Sequence, residues 1–541
     1  MKQTLIANRD EIAAWIADDP DPTTAAQLQQ WLDTNNESEL HASFNGFLQF
    51  GTAGLRGPIR PGPSGMNRAV VGRAASGIVA YMKERNLTSV VIGRDARYGS
   101  EDFTHETAEI MSGAGMKVYV LPRPLPTPVL AFATNELRCD VGIMVTASHN
   151  PPQDNGYKVY LGGTVDGIHY RGSQIVSPTD EAIAAKIDEI TSLKSQPRGM
   201  VWEVLGEEII EKYIARTASL ANNPGSLRIV YTAMHGVGTE TIQRVFHTAG
   251  FPAPILVDAQ AAPDPDFPTV AFPNPEEPGA IDLALETAKS VAAHLVIAND
   301  PDADRCAAAV NDPVTGWRML RGDELGAIFA ESIARKIDSG IFANSIVSSS
   351  IVKKIASHYN LDFKETLTGF KWLAKIENLT FGYEEALGYA VDAITVNDKD
   401  GISAAITLAQ IATDLAAEGK TLLNLLDEVW ERHGFHATEQ ISIRLSDLSK
   451  VGLILGGLRS NPPKDIAGRL VTSIDDLASP TDGLPPTDGI RIWLDGGVRI
   501  IIRPSGTEAK MKCYIEAIEK DSKTAQVVLD QLRPPLKELL S

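Results

Sequence analysis

Residues 89–121 read SVVIGRDARYGSEDFTHETAEIMSGAGMKVYVL, two apolar runs on either side of a more polar segment. The apolar run Ser89–Gly93 predicts a strand, Ser100–Gly113 predicts a helix with Ser100 as its N-cap, and Lys117–Leu121 predicts a second strand. A strand, a helix and another strand in succession form a βαβ unit. Such a unit favours a parallel sheet with right-handed crossovers.

The same alternation returns in two later parts of the chain. The first part has a predicted strand at Leu227–Thr232, a loop at His235–Gly238, a helix that ends near Thr248 and another strand that begins at Leu256–Val257. The second part has a predicted strand at Ser345–Ser349 and a helix at Val352–Tyr359. Three similar stretches predict three related α/β domains with mixed or parallel sheets.

The C-terminal part of the chain has a different pattern. Gln440–Leu445 and Ile490–Leu494 alternate polar and apolar residues, Val498–Ile502 is apolar, and Ser479–Asp488 has the composition of a surface loop. This pattern predicts an antiparallel sheet with helices. We therefore expect an α/β protein in which an α+β domain follows the three related domains, with boundaries at 1–205, 206–312, 313–435 and 436–541.

The charge balance limits the choice of partner. Among 541 residues, 50 are Lys or Arg and 69 are Asp or Glu, which gives a formal charge of −19. This excess of negative charge disfavours a nucleic acid or an anionic membrane as the main partner. An enzyme with this charge that acts on an anionic substrate must concentrate positive charge in one place.

Cysteine usage and hydropathy indicate the compartment. The three cysteines, Cys139, Cys306 and Cys513, are far apart and form no CxxC motif, so we expect neither a zinc cluster nor a disulfide framework. The N-terminus has no signal-peptide pattern, and no apolar run reaches the length of about 18 residues that a membrane helix needs. A cytoplasmic protein is expected.

The first motif that indicates chemistry is Thr146–Pro152, TASHNPP. It follows the apolar strand Val141–Val145, and ligands bind at the carboxyl ends of strands in α/β sheets. Pro151 and Pro152 enforce an irregular loop, on which Ser148 is a candidate nucleophile or phosphate carrier. The alternative is a serine that only caps a loop. A Ser-His hydrolase is disfavoured because adjacent side chains rarely face each other and no G-x-S-x-G motif occurs.

The second motif is Asp300–Arg305, DPDADR, after the predicted strand Leu295–Ala298. Three aspartates at alternating positions can converge on one hard cation. An EF-hand is excluded because its sixth and twelfth positions are here Arg305 and Asn311 instead of Gly and Glu. Arg305 can hold an anionic phosphoryl group beside the metal. The alternative is a solvated acidic turn.

Three further motifs are weaker by themselves. Gly382–Tyr389, GYEEALGY, offers paired glutamates to sugar hydroxyls, although a charged turn explains it equally well. Arg503–Glu508, RPSGTE, combines an arginine, hydroxyls and a glycine turn into a candidate phosphate site, the alternative being a plain turn. Gly51–Gly57, GTAGLRG, is Gly-rich and contains Arg56.

Taken together, these motifs resemble the α-D-phosphohexomutase superfamily, in which a phosphoserine loop, a metal loop, a sugar-binding loop and a phosphate-binding loop follow in this order. The resemblance covers nearly the whole chain. It implies three related α/β domains and a C-terminal domain of the TATA-box-binding-protein-like class around one cleft. It also implies Mg²⁺ as the cofactor and a sugar bisphosphate as activator and intermediate.

The resemblance implies a role for each matching residue. Ser148 is the phosphorylated serine, which also completes a Mg²⁺ site made by Asp300, Asp302 and Asp304. Lys158 is the general base, for which its pKa must fall. His149 and Arg305 are expected to support phosphoryl transfer. The expected substrate contacts are Arg56, Lys371, Glu384, Glu385, Arg503, Ser505, Gly506 and Thr507.

One departure leaves the substrate open. Hexose-specific members commonly read Gly-Glu-x-Ser in the sugar loop, whereas here Ala386 takes the place of the serine. This is closer to the branch that holds phosphopentomutases, bisphosphate synthases and some bacterial phosphomannomutases. We expect a mutase that moves phosphate between the 1- and 6-positions of mannose or glucose phosphate. The alternatives are a phosphopentomutase, a sugar-1,6-bisphosphate synthase and a non-catalytic sugar-phosphate-binding protein. The expected partner is a small sugar phosphate, and the chain is expected to be a monomer or homodimer.

Overall fold

The computed structural model describes residues 8–51, 54–445, 449–481, 483–504 and 510–540. The chain divides into two compact units. The first unit comprises Met1–Leu320, Ala374–Glu377 and Ala386–Asp414, and the second comprises Arg321–Leu373, Asn378–Glu385 and Leu415–Ser541.

The first unit opens with three short helices, α1 (Arg9–Asp18), α2 (Pro22–Asp33) and α3 (Glu37–Ser43). Each begins at an Asn or Asp whose side chain accepts a backbone N–H of the first turn, as N-caps do. Their apolar faces meet in a small core of Ile12, Leu28, Leu32, Leu40 and Phe44. These helices therefore form a packed N-terminal extension.

The largest described sheet follows in the first unit. Its strands and the intervening elements are β1 (Leu55–Pro58), α4 (Arg68–Glu84), β2 (Ser89–Arg94), α5 (Ser100–Gly113), β3 (Lys117–Val120), α6 (Thr127–Glu136), β4 (Val141–Val145), β5 (Asp154–Leu161), β6 (Thr164–Val165), β7 (Ile168–His169), β8 (Ser173–Gln174), α7 (Thr179–Asp188) and β9 (Glu203–Val204). The order is β1-β5-β4-β2-β3-β9, with β8 paired to β5, while β6 and β7 form a separate two-stranded sheet. Strands β4, β2, β3 and β9 are parallel. At one edge, β5 pairs antiparallel with β4, and β1 pairs antiparallel with β5.

The predicted βαβ unit is present, but its helix cap is not the predicted one. Gly99 occupies the N-cap position with φ 76°, which a residue without Cβ adopts easily, and no side chain caps the helix. Ser100 is the first helical residue, and its hydroxyl donates to Asp95 Oδ1 at 2.6 Å. The prediction of Ser100 as N-cap is therefore wrong, because its hydroxyl is used by the preceding loop.

A second sheet of the first unit carries the acidic loop. Its elements are α8 (Glu208–Ala218), β10 (Ile229–Thr232), α9 (Gly238–Thr248), β11 (Ile255–Leu256), α10 (Asp258–Ala261), α11 (Asp282–Ser290), β12 (Leu295–Ala298), β13 (Ala307–Asp312) and β14 (Gly316–Met319). The order is β11-β10-β12-β13-β14, with the first three strands parallel. The carboxyl end of β12 leads directly into Asp300, as the carboxyl end of β4 leads into Ser148.

The next elements are α12 (Gly322–Ala334), β15 (Ile341–Ser345), α13 (Ile351–His358), β16 (Asp362–Thr366), α14 (Phe370–Leu373), β17 (Leu379–Glu384), β18 (Gly388–Ala390), α15 (Gly401–Ala417) and α16 (Leu422–His433). In the second unit, β16, β15 and β17 lie parallel in that order. The predicted strand Ser345–Ser349 is wrong, because the strand ends at Ser345. Beyond it the Ser345 and Ser348 hydroxyls bond each other at 2.9 Å, a local contact that competes with a strand.

The C-terminal part of the second unit is an antiparallel sheet with helices. Its elements are β19 (Phe435–Arg444), α17 (Ser449–Ser460), β20 (Asp465–Ile466), β21 (Arg469–Asp476), β22 (Ile490–Leu494), β23 (Val498–Pro504), β24 (Lys510–Glu519) and α18 (Ser522–Leu539). The order is β19-β24-β23-β22-β21-β20. Alternate strand residues such as Ile500 and Ile502 pack with Val528 and Leu532 of α18 in one core. The predicted α+β character is confirmed.

Among the described residues, no helix combines the length and the apolar character needed to cross a bilayer.

Candidate active site

Ser148 lies in a tight loop at the end of β4. Its backbone has φ 52°, in the left-handed region that residues with a side chain rarely adopt. The Ser148 N–H donates to Thr146 Oγ1 at 2.9 Å, and the Ser148 hydroxyl donates to Asp300 Oδ2 at 2.7 Å. Backbone strain of this kind is common at functional sites, where the surroundings over-determine one conformation. The loop thus aims the hydroxyl at the acidic cluster.

The next residue, His149, contacts the serine directly. Its Nδ1 lies 3.2 Å from Ser148 Oγ, so the expectation that adjacent side chains do not face each other is wrong in this loop. Burial lowers the pKa of His149 well below its usual value, and the positive charges of Arg305 and Arg56 lower it further. A neutral imidazole therefore lies beside the hydroxyl.

The acidic cluster consists of Asp300, Asp302 and Asp304. One carboxylate oxygen of each lies within 4.8 Å of the others, and all three residues are buried. This burial is incompatible with a solvated acidic turn. Within the described ranges, the buried atoms Asp302 Oδ1 and Asp304 Oδ1 have no hydrogen-bond partner. Buried oxygens without donors are the ligand type that a hard divalent cation takes, so the residues fit a metal site.

Neighbouring backbone holds the acidic loop in place. Thr127, at the start of α6, donates its N–H to the Asp302 carbonyl at 2.9 Å and its hydroxyl to Asp302 Oδ2 at 2.8 Å. Val237 N–H donates to the Pro301 carbonyl at 2.9 Å. A Cβ on Gly236 would lie 2.3 Å from Pro301 Cα, so only glycine permits this approach. The start of α6 and the loop after β10 thus both fix the acidic loop.

Lys158 neutralises part of this negative charge. It lies on β5, paired with Met144 of β4, and its Nζ donates to Asp302 Oδ2 at 2.8 Å and to Asp304 Oδ2 at 2.9 Å. Burial alone would lower the pKa of Lys158, but the two carboxylates outweigh it and raise that pKa. The expected lowering is therefore wrong for this state, in which Lys158 is a protonated counter-ion.

The carboxylates respond to this arrangement in opposite directions. Burial, reinforced by the charges of Asp302 and Asp304, raises the pKa of Asp300 well above its usual range. Burial would also raise the pKa of Asp302, but the Lys158 ammonium lowers it overall. Asp300 is thus the member of the cluster that holds a proton most readily.

The structure adds a lysine that the sequence did not identify. Lys399 Nζ lies 3.2 Å from Asp304 Oδ2 and 3.6 Å from Asp398 Oδ1, and it is largely buried. Asp398 in turn accepts the Tyr160 hydroxyl at 3.0 Å. Lys399 stands between two aspartates in a segment without any motif that we recognised. Only the fold brings it to the acidic cluster.

Two predicted arginines lie in the same region. Arg56 on β1 pairs with Gly156 of β5, and its Nη1 donates to Asn150 Oδ1 at 3.3 Å. The Arg305 N–H donates to Asp300 Oδ1 at 3.0 Å, and its Nε lies 4.0 Å from Asp300 Oδ2. With Lys158 and Lys399, these residues concentrate positive charge around Ser148 in a chain of net negative charge.

The second unit holds the other described candidates. Glu384 ends β17, so it lies in a strand and not in the predicted loop, and its Oε1 accepts Gly369 N–H at 2.7 Å. Glu385 Oε2 accepts the hydroxyls of Ser348 at 2.9 Å and Ser345 at 3.2 Å. Burial, and then the charge of Glu384, raises the pKa of Glu385. The two glutamates therefore have different hydrogen-bond partners.

The remaining candidates are placed only in part. Lys371 is the second residue of the short helix α14. Arg503 lies on β23 opposite Lys512 of β24. Ser505, Gly506 and Thr507 follow this strand, but they lie outside the described residues, so their role in phosphate binding stays a prediction.

Comparison with known families agrees with this geometry. Models of phosphoglucomutase/phosphomannomutase domains match the chain in order, with alpha/beta/alpha domain I at 48–194, domain II at 210–316, domain III at 321–433 and the C-terminal domain at 459–532. The chain belongs to the phosphoglucomutase/phosphomannomutase family. The resemblance to the α-D-phosphohexomutase superfamily and the predicted fold class are confirmed.

Similar proteins cover nearly the whole chain. A probable phosphomannomutase of Haemophilus influenzae is 47% identical over 483 residues, 88% of this chain and 98% of that protein. A phosphopentomutase of Mus musculus is 32% identical over 570 residues, 94% of this chain and 89% of that protein. The crystal structure of a putative phosphomannomutase from Thermus thermophilus shares the fold, with TM-score 0.71 and 22% identity over 91% of this chain and 99% of that chain. This family member is therefore a phosphosugar mutase, which is an isomerase.

Proposed function

We propose that the chain moves a phosphoryl group between the 1- and 6-positions of a hexose phosphate, mannose or glucose, with Ser148 as the carrier. The observation that carries this proposal is the 2.7 Å hydrogen bond from Ser148 Oγ to Asp300 Oδ2. It joins a strained, buried serine to a cluster of carboxylates that fits a divalent cation. A phosphoserine at this position would lie beside that cation and beside several cationic side chains.

In the proposed first step, the bond between phosphorus and Ser148 Oγ breaks while a bond forms between phosphorus and a hydroxyl oxygen of the sugar monophosphate. Mg²⁺ held by Asp300, Asp302, Asp304 and a phosphoserine oxygen would offset the negative charge of the phosphoryl group in a loose transition state. Arg305 adds positive charge beside Asp300, and the neutral His149 contacts the oxygen that leaves phosphorus.

The proton of the attacking hydroxyl goes to Lys158 in this scheme. Lys158 accepts a proton only after losing its own, and its contacts with Asp302 and Asp304 oppose that loss. When the negative charges of Asp302 and Asp304 are neutralised, these carboxylates no longer hold the proton on Lys158. Burial then lowers the pKa of Lys158 toward the range of a general base. The base is thus coupled to the charge state of the acidic cluster.

The product of this step is a sugar bisphosphate, which must return its other phosphoryl group to Ser148. Arg503 and residues 505–507 are the proposed holders of the non-reacting phosphate. Arg56, Lys371, Glu384 and Glu385 are proposed to contact the sugar. Added sugar bisphosphate would act as an activator, because it phosphorylates any Ser148 that has lost its phosphate.

The hexose assignment is supported by the relative named a probable phosphomannomutase, which is 47% identical. A pentose phosphate is the second candidate. It is favoured by Ala386, which stands where hexose-specific members commonly have a serine, and by the 32% identical phosphopentomutase. A hydrogen bond to a substrate hydroxyl can decide between sugars, because the bond is lost when the sugar lacks the hydroxyl or the protein lacks the side chain.

The proposed compartment is the cytoplasm. All three cysteines are free and buried, and burial raises the pKa of the Cys139 thiol to about 12. Thiols in this state are inert and need no oxidising compartment. A monomer or homodimer remains the expected assembly.

A mutase assay on purified protein tests the proposal. Glucose 1-phosphate, mannose 1-phosphate and ribose 1-phosphate are compared, each with and without Mg²⁺ and catalytic sugar bisphosphate. Conversion of a hexose phosphate that needs both additions is expected. Preference for ribose 1-phosphate would replace the hexose by the pentose, and formation of bisphosphate from a separate phosphate donor without mutase turnover would indicate a bisphosphate synthase.

A further inference from the structure

Arg97 lies in the loop after β2, and its guanidinium meets the backbone of the Ser148 loop. Its Nη2 donates to the carbonyls of Ser148 at 2.7 Å and Asn150 at 2.6 Å. Its Nη1 donates to the carbonyls of Pro151 at 2.8 Å and Asp154 at 3.2 Å. One planar fork thus serves four carbonyl groups, three in the irregular loop after β4 and one at the first residue of β5.

Of these four carbonyls, that of Pro151 also accepts the Asp154 N–H at 3.1 Å. The loop runs between β4 and β5 without strand pairing, and Pro151 and Pro152 contribute no N–H groups. Buried carbonyl groups require donors, so the loop conformation depends on the donors that the fold supplies. Ser148 also holds φ 52°, which a loop keeps only when surrounding contacts enforce it.

Arg97 is itself fixed from two sides. The residue is 5% exposed, and its backbone N–H donates to Asp95 Oδ1 at 3.0 Å. Its guanidinium carbon lies 4.8 Å from the centre of the Phe267 ring, a distance typical of a cation–π contact. The Tyr98 hydroxyl donates to Asp266 Oδ2 at 3.0 Å and so fastens the segment that carries Phe267. The loop after β2 and the segment after α10 therefore both contribute to this support.

We infer that Arg97, supported by Phe267, is a positioning residue that sets the place of Ser148 Oγ for phosphoryl transfer. The inference rests on the proposed function, in which Ser148 carries the phosphoryl group. Toward the Ser148 loop Arg97 donates to backbone carbonyls, and its Nε lies 3.5 Å from Asp95 Oδ2, so it acts on the chemistry by setting the conformation of the loop that carries Ser148. A purely structural arginine would change stability and leave the chemistry of the folded enzyme intact.

The main variant is Arg97→Lys, because an ammonium group is charged but cannot span four carbonyls as a fork does. The matched control is Arg73→Lys. Arg73 also donates to a backbone carbonyl, that of Ile190, and also lies over aromatic rings, those of Trp15 and Phe47, but it has no contact with the Ser148 loop.

Three measurements separate positioning from stability. For Arg97→Lys we expect kcat to fall by about 100-fold, the effect of misplacing a reacting group, while KM for the sugar phosphate changes by less than about threefold. The single-turnover rate of Ser148 phosphorylation by sugar bisphosphate falls in parallel. Amide hydrogen exchange in the peptide spanning residues 146–155 becomes faster. The Arg73→Lys variant shows none of these changes.

Phe267→Leu is the second variant and carries the test if Arg97→Lys does not fold. It keeps every hydrogen bond of the guanidinium and removes only the ring, so we expect kcat to fall by about 3- to 10-fold with KM preserved. Wild-type kcat and phosphorylation rate in the folded Arg97→Lys protein would overturn the inference. Equal losses in the Arg73→Lys control would also overturn it.

The same experiment separates this inference from the proposed function. Wild-type protein that shows mutase turnover without phosphate on Ser148 would contradict the carrier role, and the positioning role with it. If the wild type carries phosphate on Ser148 and both variants are phosphorylated there at the wild-type rate, only the positioning role is contradicted.

Discussion

The hydroxyl of Ser148 donates a 2.7 Å hydrogen bond to Asp300 Oδ2, although the two residues are 152 positions apart. Each follows the carboxyl end of a parallel strand, β4 for Ser148 and β12 for Asp300, in two different sheets of the first unit. The nucleophile candidate and the metal-site candidate are therefore positioned by two separate sheets.

The acidic cluster is expected to bind Mg²⁺ in the folded protein. Saturation at one hundred times Kd should raise the free energy of unfolding of the wild type by about 2.7 kcal/mol. Asp302→Asn should reduce this gain strongly, because it removes one ligand charge. Urea denaturation with and without Mg²⁺ measures the gain, and Asp166→Asn, at an exposed residue paired with Arg85, is the control. An equal gain in Asp302→Asn and wild type would count against the site.

Gly236→Ala should disturb the acidic loop without touching a carboxylate. The added Cβ would lie 2.3 Å from Pro301 Cα, so the loop between Asp300 and Asp302 must shift. We expect Mg²⁺ to bind about 10-fold more weakly, as when groups that support metal ligands are changed. Isothermal titration measures this affinity. Gly452→Ala, whose Cβ meets no atom within 4 Å, should bind as the wild type does, and the same affinity in both variants would refute the prediction.

The stability of the second unit should depend on pH through Glu516. Burial alone would raise the pKa of Glu516. Two neighbours, Arg499, whose Nη2 lies 3.0 Å from Glu516 Oε2, and His436, instead lower that pKa to about 2. A depressed carboxyl pKa gives stability that is present above the unfolded value of about 4.5 and is lost as pH falls toward 2. The difference corresponds to about 3 kcal/mol.

Glu516→Gln should therefore lose this part of the pH dependence. At pH 7 the variant removes the nearer carboxylate partner of buried Arg499, which keeps Glu365 at 3.5 Å, so the cost should stay below the roughly 3–5 kcal/mol of a fully unpaired buried charge. Urea denaturation at pH 7 and at pH 3 gives the comparison, and the difference between variant and wild type should shrink at pH 3. Glu519→Gln, on the same strand with an ion pair of 3.7 Å to Arg469, is the control. A variant-to-wild-type difference that is the same at both pH values would contradict the pKa assignment.

Ala386→Ser tests the origin of sugar preference. If the serine of hexose-specific relatives contacts a sugar hydroxyl, restoring it should raise the ratio of kcat/KM for glucose 1-phosphate over ribose 1-phosphate by about 10-fold. The exposed helical residue Ala417 supplies the control, Ala417→Ser, for which no change is expected. An unchanged ratio in Ala386→Ser would remove Ala386 from the account of specificity.

Local sequence was enough to place the candidate site residues at the ends of strands. Ser148 and Asp300–Asp304 each follow a short apolar strand, and the carboxyl ends of such strands are where α/β proteins bind ligands. The βαβ pattern around α5 likewise predicted the parallel part of the sheet. These features depend on residues that are neighbours in the chain.

Features that depend on distant residues were not predictable. Arg97 and Lys399 lie outside any motif, and only folding brings them to Ser148 and Asp304. The pKa of Lys158 was expected to fall, whereas two carboxylates more than a hundred residues away raise it. The strand predicted at Ser345–Ser349 is instead Ile341–Ser345, and beyond it the Ser348 hydroxyl bonds Ser345 and also Glu385, thirty-seven residues away.

Ser148→Ala should remove mutase turnover and keep the fold. Loss of the phosphoryl carrier is expected to lower kcat by at least about 1000-fold. Ser192→Ala is the matched control, because the Ser192 hydroxyl also donates to an aspartate, Asp18, at 2.6 Å. Circular dichroism should show the same structure in both variants. Substantial turnover in Ser148→Ala would show that another group carries the phosphate.

The most direct measurement follows the phosphate itself. Wild-type protein is incubated with sugar bisphosphate and Mg²⁺, the phosphorylated peptide is located by mass spectrometry, and a sugar monophosphate is then added in a rapid-quench experiment. The account predicts phosphate on Ser148 that transfers to the sugar at a rate no slower than kcat. Phosphate on a different residue, or transfer from Ser148 slower than kcat, would contradict it.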